Sequence, residues 1–136
     1  FDALHQAMVV TDSEENVIYQ IPLAGGETGG ETQILYRYTS LANKPSFDGV
    51  AVAPDGTVYV TALEQNGVAT LRNNELVYLA GSFRGPSSLA LAPDNQHFYV
   101  TNFDSTPLVV PEIRPQLPFA LDVVTLNAVS PTPTTE

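Results

Sequence analysis

Two stretches of the chain say nearly the same thing. From Asp48 it reads Asp-Gly-Val-Ala-Val-Ala-Pro-Asp-Gly-Thr-Val-Tyr-Val-Thr, and from Ser87 it reads Ser-Ser-Leu-Ala-Leu-Ala-Pro-Asp-Asn-Gln-His-Phe-Tyr-Val-Thr-Asn. Pro54-Asp55 and Pro93-Asp94 lie 39 residues apart, and Val60-Thr61 and Val100-Thr101 lie 40 apart, one inserted turn residue making the difference. A period near forty can be built from helix pairs or from small sheets. Here the apolar residues alternate in short runs and never recur at helical spacing, so the repeating unit is a sheet.

The strands follow from that alternation. Val50 and Val52, like Leu89 and Leu91, are separated by alanines, which suits an inner strand packed tightly near an axis. Pro54-Asp55-Gly56 is a tight turn leading into Thr57–Ala62, Gly67–Arg72 reads as a third strand, Asn73-Asn74 as a turn, and Glu75–Ala80 as an outer strand. One complete four-stranded unit is therefore expected over 41–81. The same grammar runs backward over 1–40. Phe1-Asp2 stands in the place of the Pro-Asp turn, Met8–Asp12 is a second strand, and Asn16–Pro22 and Gln33–Tyr38 are a third and fourth. This first unit lacks an innermost strand. Gly25–Gly30 between its outer strands is expected to be a flexible loop, too rich in glycine to be ordered by its own contacts. It is no phosphate cradle, since it lacks the Lys-Ser/Thr ending and precedes a strand.

A third unit is expected over 82–127, irregular after 103. Leu108–Val110 is a candidate third strand and Phe119–Leu126 a last strand, with Pro107, Pro111, Pro115 and Pro118 interrupting. A Pro/Thr tail over 128–136 is expected to be disordered. The fold class is thus all-β, a β-propeller arc of about three four-stranded blades, part of a six- or seven-bladed ring. Such rings close to protect their sheets. An open arc leaves two apolar faces bare, so further blades, a partner protein or a second copy should complete it. Alternatively, Phe119–Leu126 adds to the incomplete first blade.

Fifteen acidic residues against five basic ones give a formal net charge of -10. That field repels phosphate backbones and anionic lipid, which argues against nucleic acid and membrane surfaces as partners and admits a divalent cation or a basic protein. There is no cysteine, hence neither disulfide framework nor thiolate metal site. No apolar run approaches the roughly 20 residues that span a bilayer. Phe1–His5 does not read as a signal peptide, so the chain is expected to be mature and processed or a segment of something longer.

The stretch Leu89–Asn102 resembles the YVTN repeat of bacterial surface and periplasmic propellers, and 48–71 resembles an NHL repeat. Phe1 to about Leu71 is similar to the middle of the SMP-30/gluconolactonase family of six-bladed propellers. That resemblance implies an axial divalent metal, usually Ca2+, and hydrolysis of lactones or related esters. Asp48, ahead of Gly49 at the start of an inner strand, matches the family's axial carboxylate, which binds metal and can act as a base. The family's asparagine and glutamate ligands would fall before Phe1. Ser88 stands where Asp48 sits in the following blade, and Pro45 is displaced from the family pattern.

Loops on one rim carry Asp12-Ser13-Glu14-Glu15, Asp48, Glu64 and Asp104. Asp48, Glu14, Glu64 and Asp104 are the candidate metal ligands, because carboxylates from several blades can converge on a hard cation; the alternative is that they are solvated turn residues. His5 and His97 fall at solvent-facing turns, and no spacing joins Ser87 or Ser88 to them as a catalytic triad. Tyr59 and Tyr99 match one another and read as packing between blades. The favoured function is a non-catalytic binding or scaffolding module, extracellular or periplasmic, whose ligand is a protein, a glycan or a small molecule. The alternatives are a fragment of a metal-dependent lactonase-like hydrolase, with Asp48 catalytic, and a structural subunit of a larger assembly.

Overall fold

The computed structural model describes residues 1–25, 27–104, 110, 112–114, 117 and 119–126. The elements it contains are strands: β1 (Ala7–Asp12), β2 (Val17–Ala24), β3 (Glu27–Thr28), β4 (Gln33–Arg37), β5 (Phe47–Val52), β6 (Val58–Ala62), β7 (Gly67–Arg72), β8 (Glu75–Ala80), β9 (Pro86–Leu91), β10 (His97–Asn102) and β11 (Leu121–Thr125). They form three antiparallel sheets. The first joins β1 to β2, with β3 and β4 both on β2; the second is β5-β6-β7-β8; the third is β9-β10-β11. The sheets stack face to face as an arc of a β-propeller.

The turns are set by residues that tolerate positive φ. Gly56 sits at φ 81°, and Asn73 and Asn74 at 50° and 63°, the paired left-handed geometry of a two-residue hairpin. Asp55 and Asp94 each accept a backbone N–H two residues on, from Thr57 at 2.9 Å and Gln96 at 2.8 Å, which fixes the repeated Pro-Asp turn.

Two apolar layers lie between the sheets. Val9, Ile18, Phe47, Val58, Val60 and Ala69 fill the first, with Tyr36 edge-on to Phe47 at 6.0 Å. Val68, Leu89, Phe98 and Val100 fill the second, where Tyr59 meets Phe98 at 4.5 Å. Because strand side chains alternate, Val58 and Val60 face the first sheet and Tyr59 faces the third. Their counterparts in β10 are Phe98, Val100 and Tyr99; in β1 they are Met8, Val10 and Val9.

The inner strands approach backbone to backbone. A Cβ at Gly49 would lie 2.6 Å from the Ser88 Cα, so no larger residue fits there without displacing β9. Both inner strands carry a β-bulge. Phe47 opposes Ala62 and Val50 opposes Val60, leaving Asp48 and Gly49 against one residue; Pro86 opposes Asn102 and Ser88 opposes Thr101, leaving Ser87 over. Leu89 opposes Val100 as Val50 opposes Val60, so Ser87 is the counterpart of Asp48. The expected match to Ser88 is one residue off.

Other expectations need correction. Glu27 and Thr28 pair with Ala24 and Leu23, and Gly29 donates to the Pro22 carbonyl at 3.0 Å, so the glycine loop is a hairpin tied to β2. Phe119–Leu126 does not extend the first sheet. Its core, β11, pairs with β10 and takes the third place in the third sheet. Of the strand expected over 108–110, Leu108 and Val109 lie outside the described residues, as does the tail over 128–136.

Among the described residues, the flanking sheets each have one uncovered face. On the first, Met8 is 41% and Val10 39% exposed, beside Tyr19, Ile21 and Ile34. Their counterparts Phe98 and Val100 are 0% exposed. On the third, Tyr99, Leu121 and Val123 lie open.

Candidate functional site

The joints between sheets determine where the rim residues sit. Asn16 and Asn66, at φ 56° and 49°, close the β1–β2 and β6–β7 turns. The Asn16 Oδ1 accepts the Ser46 N–H at 2.6 Å, and the Asn66 Oδ1 accepts the Gly85 N–H at 2.9 Å. Each turn is thus clipped to the entry of the following sheet. A third asparagine, Asn102, accepts the Arg84 N–H at 2.9 Å and donates to Asp122 at 2.7 Å, tying β10 to β11. Glu14 and Glu64 stand two residues before the clip asparagines, exposed on the same rim. Asp12 caps its own turn by accepting the Glu14 and Glu15 N–H groups at 3.0 and 2.8 Å.

Asp48 lies at the bulge of β5. Its carbonyl accepts the Thr11 hydroxyl at 2.5 Å, while the Gly49 N–H reaches the Thr61 hydroxyl at 2.7 Å. Bulges re-aim side chains and break pairing locally. The residue as a whole is exposed, yet enough protein crowds its carboxyl to withdraw water and push its pKa up. Asp104 is held differently, by Arg84 Nη1 at 3.5 Å and by its own N–H to the Arg84 carbonyl at 2.8 Å. Glu64 borders a surface cavity of about 690 Å³ with Asn43, Lys44 and Gln65. Among the described residues no three His, Asp or Glu side chains gather closely enough to hold a metal. A calcium ion takes six to eight oxygens. Asp48 offers a carboxylate, but the described residues alone do not make a calcium centre.

On the opposite rim, where the Pro-Asp turns lie, the sequence concealed a buried carboxylate. Asp2 is 1% exposed and bonds the His5 Nδ1 at 2.7 Å, the His5 N–H at 3.1 Å and the Gln20 Nε2 at 3.2 Å. Burial pushes the Asp2 carboxyl up, but the hydrogen bonds and charge of His5, with the Leu4 N–H, outweigh it and leave the pKa below the ordinary value. The third sheet has a similar pair two residues further along, with His97 Nδ1 2.7 Å from the Asp94 carboxylate. Asp2, His5 and Gln20 border an open cavity of about 310 Å³ between the first two sheets, lined on its other side by Gly56, Leu71 and Asn73.

No family model and no curated protein matches the chain. Among solved structures it is similar to a catalytically inactive variant of virginiamycin B lyase from Staphylococcus aureus with quinupristin. Identity is 17%, the TM-score 0.55, and the match covers 74% of this chain and 32% of that one. It is also similar to regucalcin, a calcium-binding protein from Agrobacterium tumefaciens, at 15% identity and a TM-score of 0.62, covering 79% of this chain and 39% of that one. Both neighbours are propeller proteins, and at such identities the likeness is one of fold. The match spans less than two-fifths of either neighbour's length.

Proposed function

We propose that the chain is an arc of a closed propeller that serves as a binding or scaffolding module, secreted or periplasmic, with no chemistry of its own. Further blades or a second copy complete the ring. One observation carries the reading: positions that are sealed in the middle sheet, and on the inward faces of its neighbours, are bare on the outward faces of the first and third sheets. Exposed apolar faces of this kind are interaction surfaces. The completed rim then presents the acidic turns around Glu14, Glu64 and Asp48 to a basic protein, a glycan or a small ligand. Light scattering on the purified chain tests it. A mass above that of one chain is expected, falling to the monomer when Met8→Lys or Val123→Lys places a charge on a bare face; a stable monomer with a cooperative transition sinks the reading.

A second reading is favoured by the position of Asp48 alone, a partly desolvated carboxylate at an inner-strand bulge. It is a divalent-metal-dependent lactone or ester hydrolase whose remaining ligands come from blades beyond these three. Calcium-dependent thermal stabilisation, abolished by Asp48→Ala, would favour this second reading; equal melting with and without calcium would leave the binding module.

A further inference from the structure

We propose that the inner edge of β1 is a strand-accepting site, and that its occupant is an extended segment in which branched aliphatic residues alternate with alanine or glycine. The inference deepens the ring-closure reading and rests on it for the origin of the occupant, though not for the chemistry of the edge.

The ladder between β1 and β2 shows which backbone groups are spoken for. Leu23 donates to the Gln6 carbonyl at 2.8 Å, and the register then turns Met8, Val10 and Asp12 toward β2. Ala7, Val9 and Thr11 turn the other way. Ala7 is taken by Asp2, through bonds of 3.1 and 2.8 Å. Val9 and Thr11 present their N–H and C=O groups on an edge with which no strand among the described residues pairs. The edge is held firmly, since Ala7 and Val9 are 1% and 5% exposed in the first apolar layer.

The other two sheets show what fills this place. In the second, Ala53 donates to the Thr57 carbonyl at 2.9 Å, so Ala51 and Tyr59 form the next bonded pair. In the third, Ala92 donates to the His97 carbonyl at 2.8 Å, which makes Ala90 and Tyr99 the bonded pair. Tyr59 and Tyr99 are the counterparts of Val9, so the partner of Val9 is an alanine. Val50 and Val52, or Leu89 and Leu91, lie against the counterparts of Val10 and Met8. Small residues are required on the side facing β5 because neighbouring inner strands touch through their backbones, as Gly49 and Ser88 do. β1 already lies against β5, so the occupant continues an existing row of inner strands.

The test uses a tethered probe, for which effective concentration is high. A copy of residues 87–90, Ser-Ser-Leu-Ala, is appended directly ahead of Phe1, so that Phe1-Asp2 takes the place of Leu91-Ala92 and the alanine falls opposite Val9. Expected are a Tm rise of about 3–6 °C and amide exchange at Val9 and Thr11 slowed by about tenfold or more. The same extension with its alanine replaced by leucine should give neither. Equal gains from both extensions, no gain from either, or protection at β11 instead of β1 each overturn the proposal. A monomeric parent chain whose extended form gains the protection would sink ring closure and leave the edge site standing. A parent chain that assembles, with Val9 and Thr11 unprotected in the extended form, would do the reverse.

Discussion

The middle sheet and the two beside it share one sequence grammar, yet among the described residues only the middle one is covered on both faces. Val60 lies under the first sheet and Tyr59 packs on Phe98 of the third. In the first sheet the counterpart Val10 is open, and in the third the counterpart Tyr99 is open. The residue types hardly change between covered and bare positions. The difference therefore comes from what stands next to each sheet, and a face written for burial marks where a neighbour belongs.

Substitution at matched positions can break that comparison. Phe98→Ala removes a ring buried in the second layer and should cost about 3–5 kcal/mol. Met8→Ala, at the matching site of the first sheet, should cost under about 1 kcal/mol in the dilute chain. Urea unfolding reads both. A Met8→Ala cost as large as that of Phe98→Ala would mean that the first face is covered in solution.

The next effect concerns the buried carboxylate. Asp2→Asn weakens a charge-assisted cluster and should cost about 1.5–3 kcal/mol at neutral pH. The folded pKa of Asp2 is lowered, so its contribution is present above the ordinary carboxylate value and is lost as pH falls through the lowered one. A stability–pH curve for Asp2→Asn should accordingly be flatter on its acid limb than that of the parent. An unchanged acid limb would remove Asp2 from the set of groups that set acid stability.

Smaller losses are expected at the joints. Asn66→Ala leaves the Gly85 N–H without its acceptor and asks alanine to hold φ 49°, a combined cost of about 1–2 kcal/mol. Asn16→Ala should behave alike. If the joints matter equally, the two variants shift the urea midpoint by similar amounts; a silent Asn16→Ala would show the first sheet to be the looser partner.

The smallest effect has the opposite sign. Burial raises the Asp48 pKa, so its charged form is penalised above the folded value and the penalty fades as pH falls below the unfolded one. Because the residue is largely exposed, Asp48→Asn should stabilise the chain by no more than about 0.5 kcal/mol at neutral pH. A loss of stability instead would reveal a bound cation or a partner for the carboxylate.

Much of this was legible in the residues. The spacing of Pro54-Asp55 and Pro93-Asp94 gave the sheets, and alternation around Val50 and Leu89 picked out the inner strands. Three things escaped for physical reasons. Neither Ser87 nor Ser88 has a carboxylate to mark the place of Asp48, and only the ladder pairs, with the same bulge in both inner strands, fix it on Ser87. Asn16 reads as the start of a strand and Asn66 carries no signal of its own; both close turns, and their side chains bond across some 20–30 residues, a relation no local pattern records. The sequence puts Asp2 at the Pro-Asp turn, whereas it pairs with Ala7 as Ala92 does with His97, and its burial depends on Gln20 from another strand.

The asparagine joints give the arc a direction. Each consists of an acceptor offered by the earlier sheet and an N–H supplied by the later one, so the two ends are unlike. On the proposed ring closure, a second copy would dock head to tail, third sheet against first, because a two-fold pairing of like ends repeats neither joint. Head-to-tail contacts close into a ring when the rotation per subunit divides the circle and otherwise run on as a filament. The angle between neighbouring sheets, which the close approach of Gly49 to Ser88 helps to set, would thus separate a finite particle from a fibre.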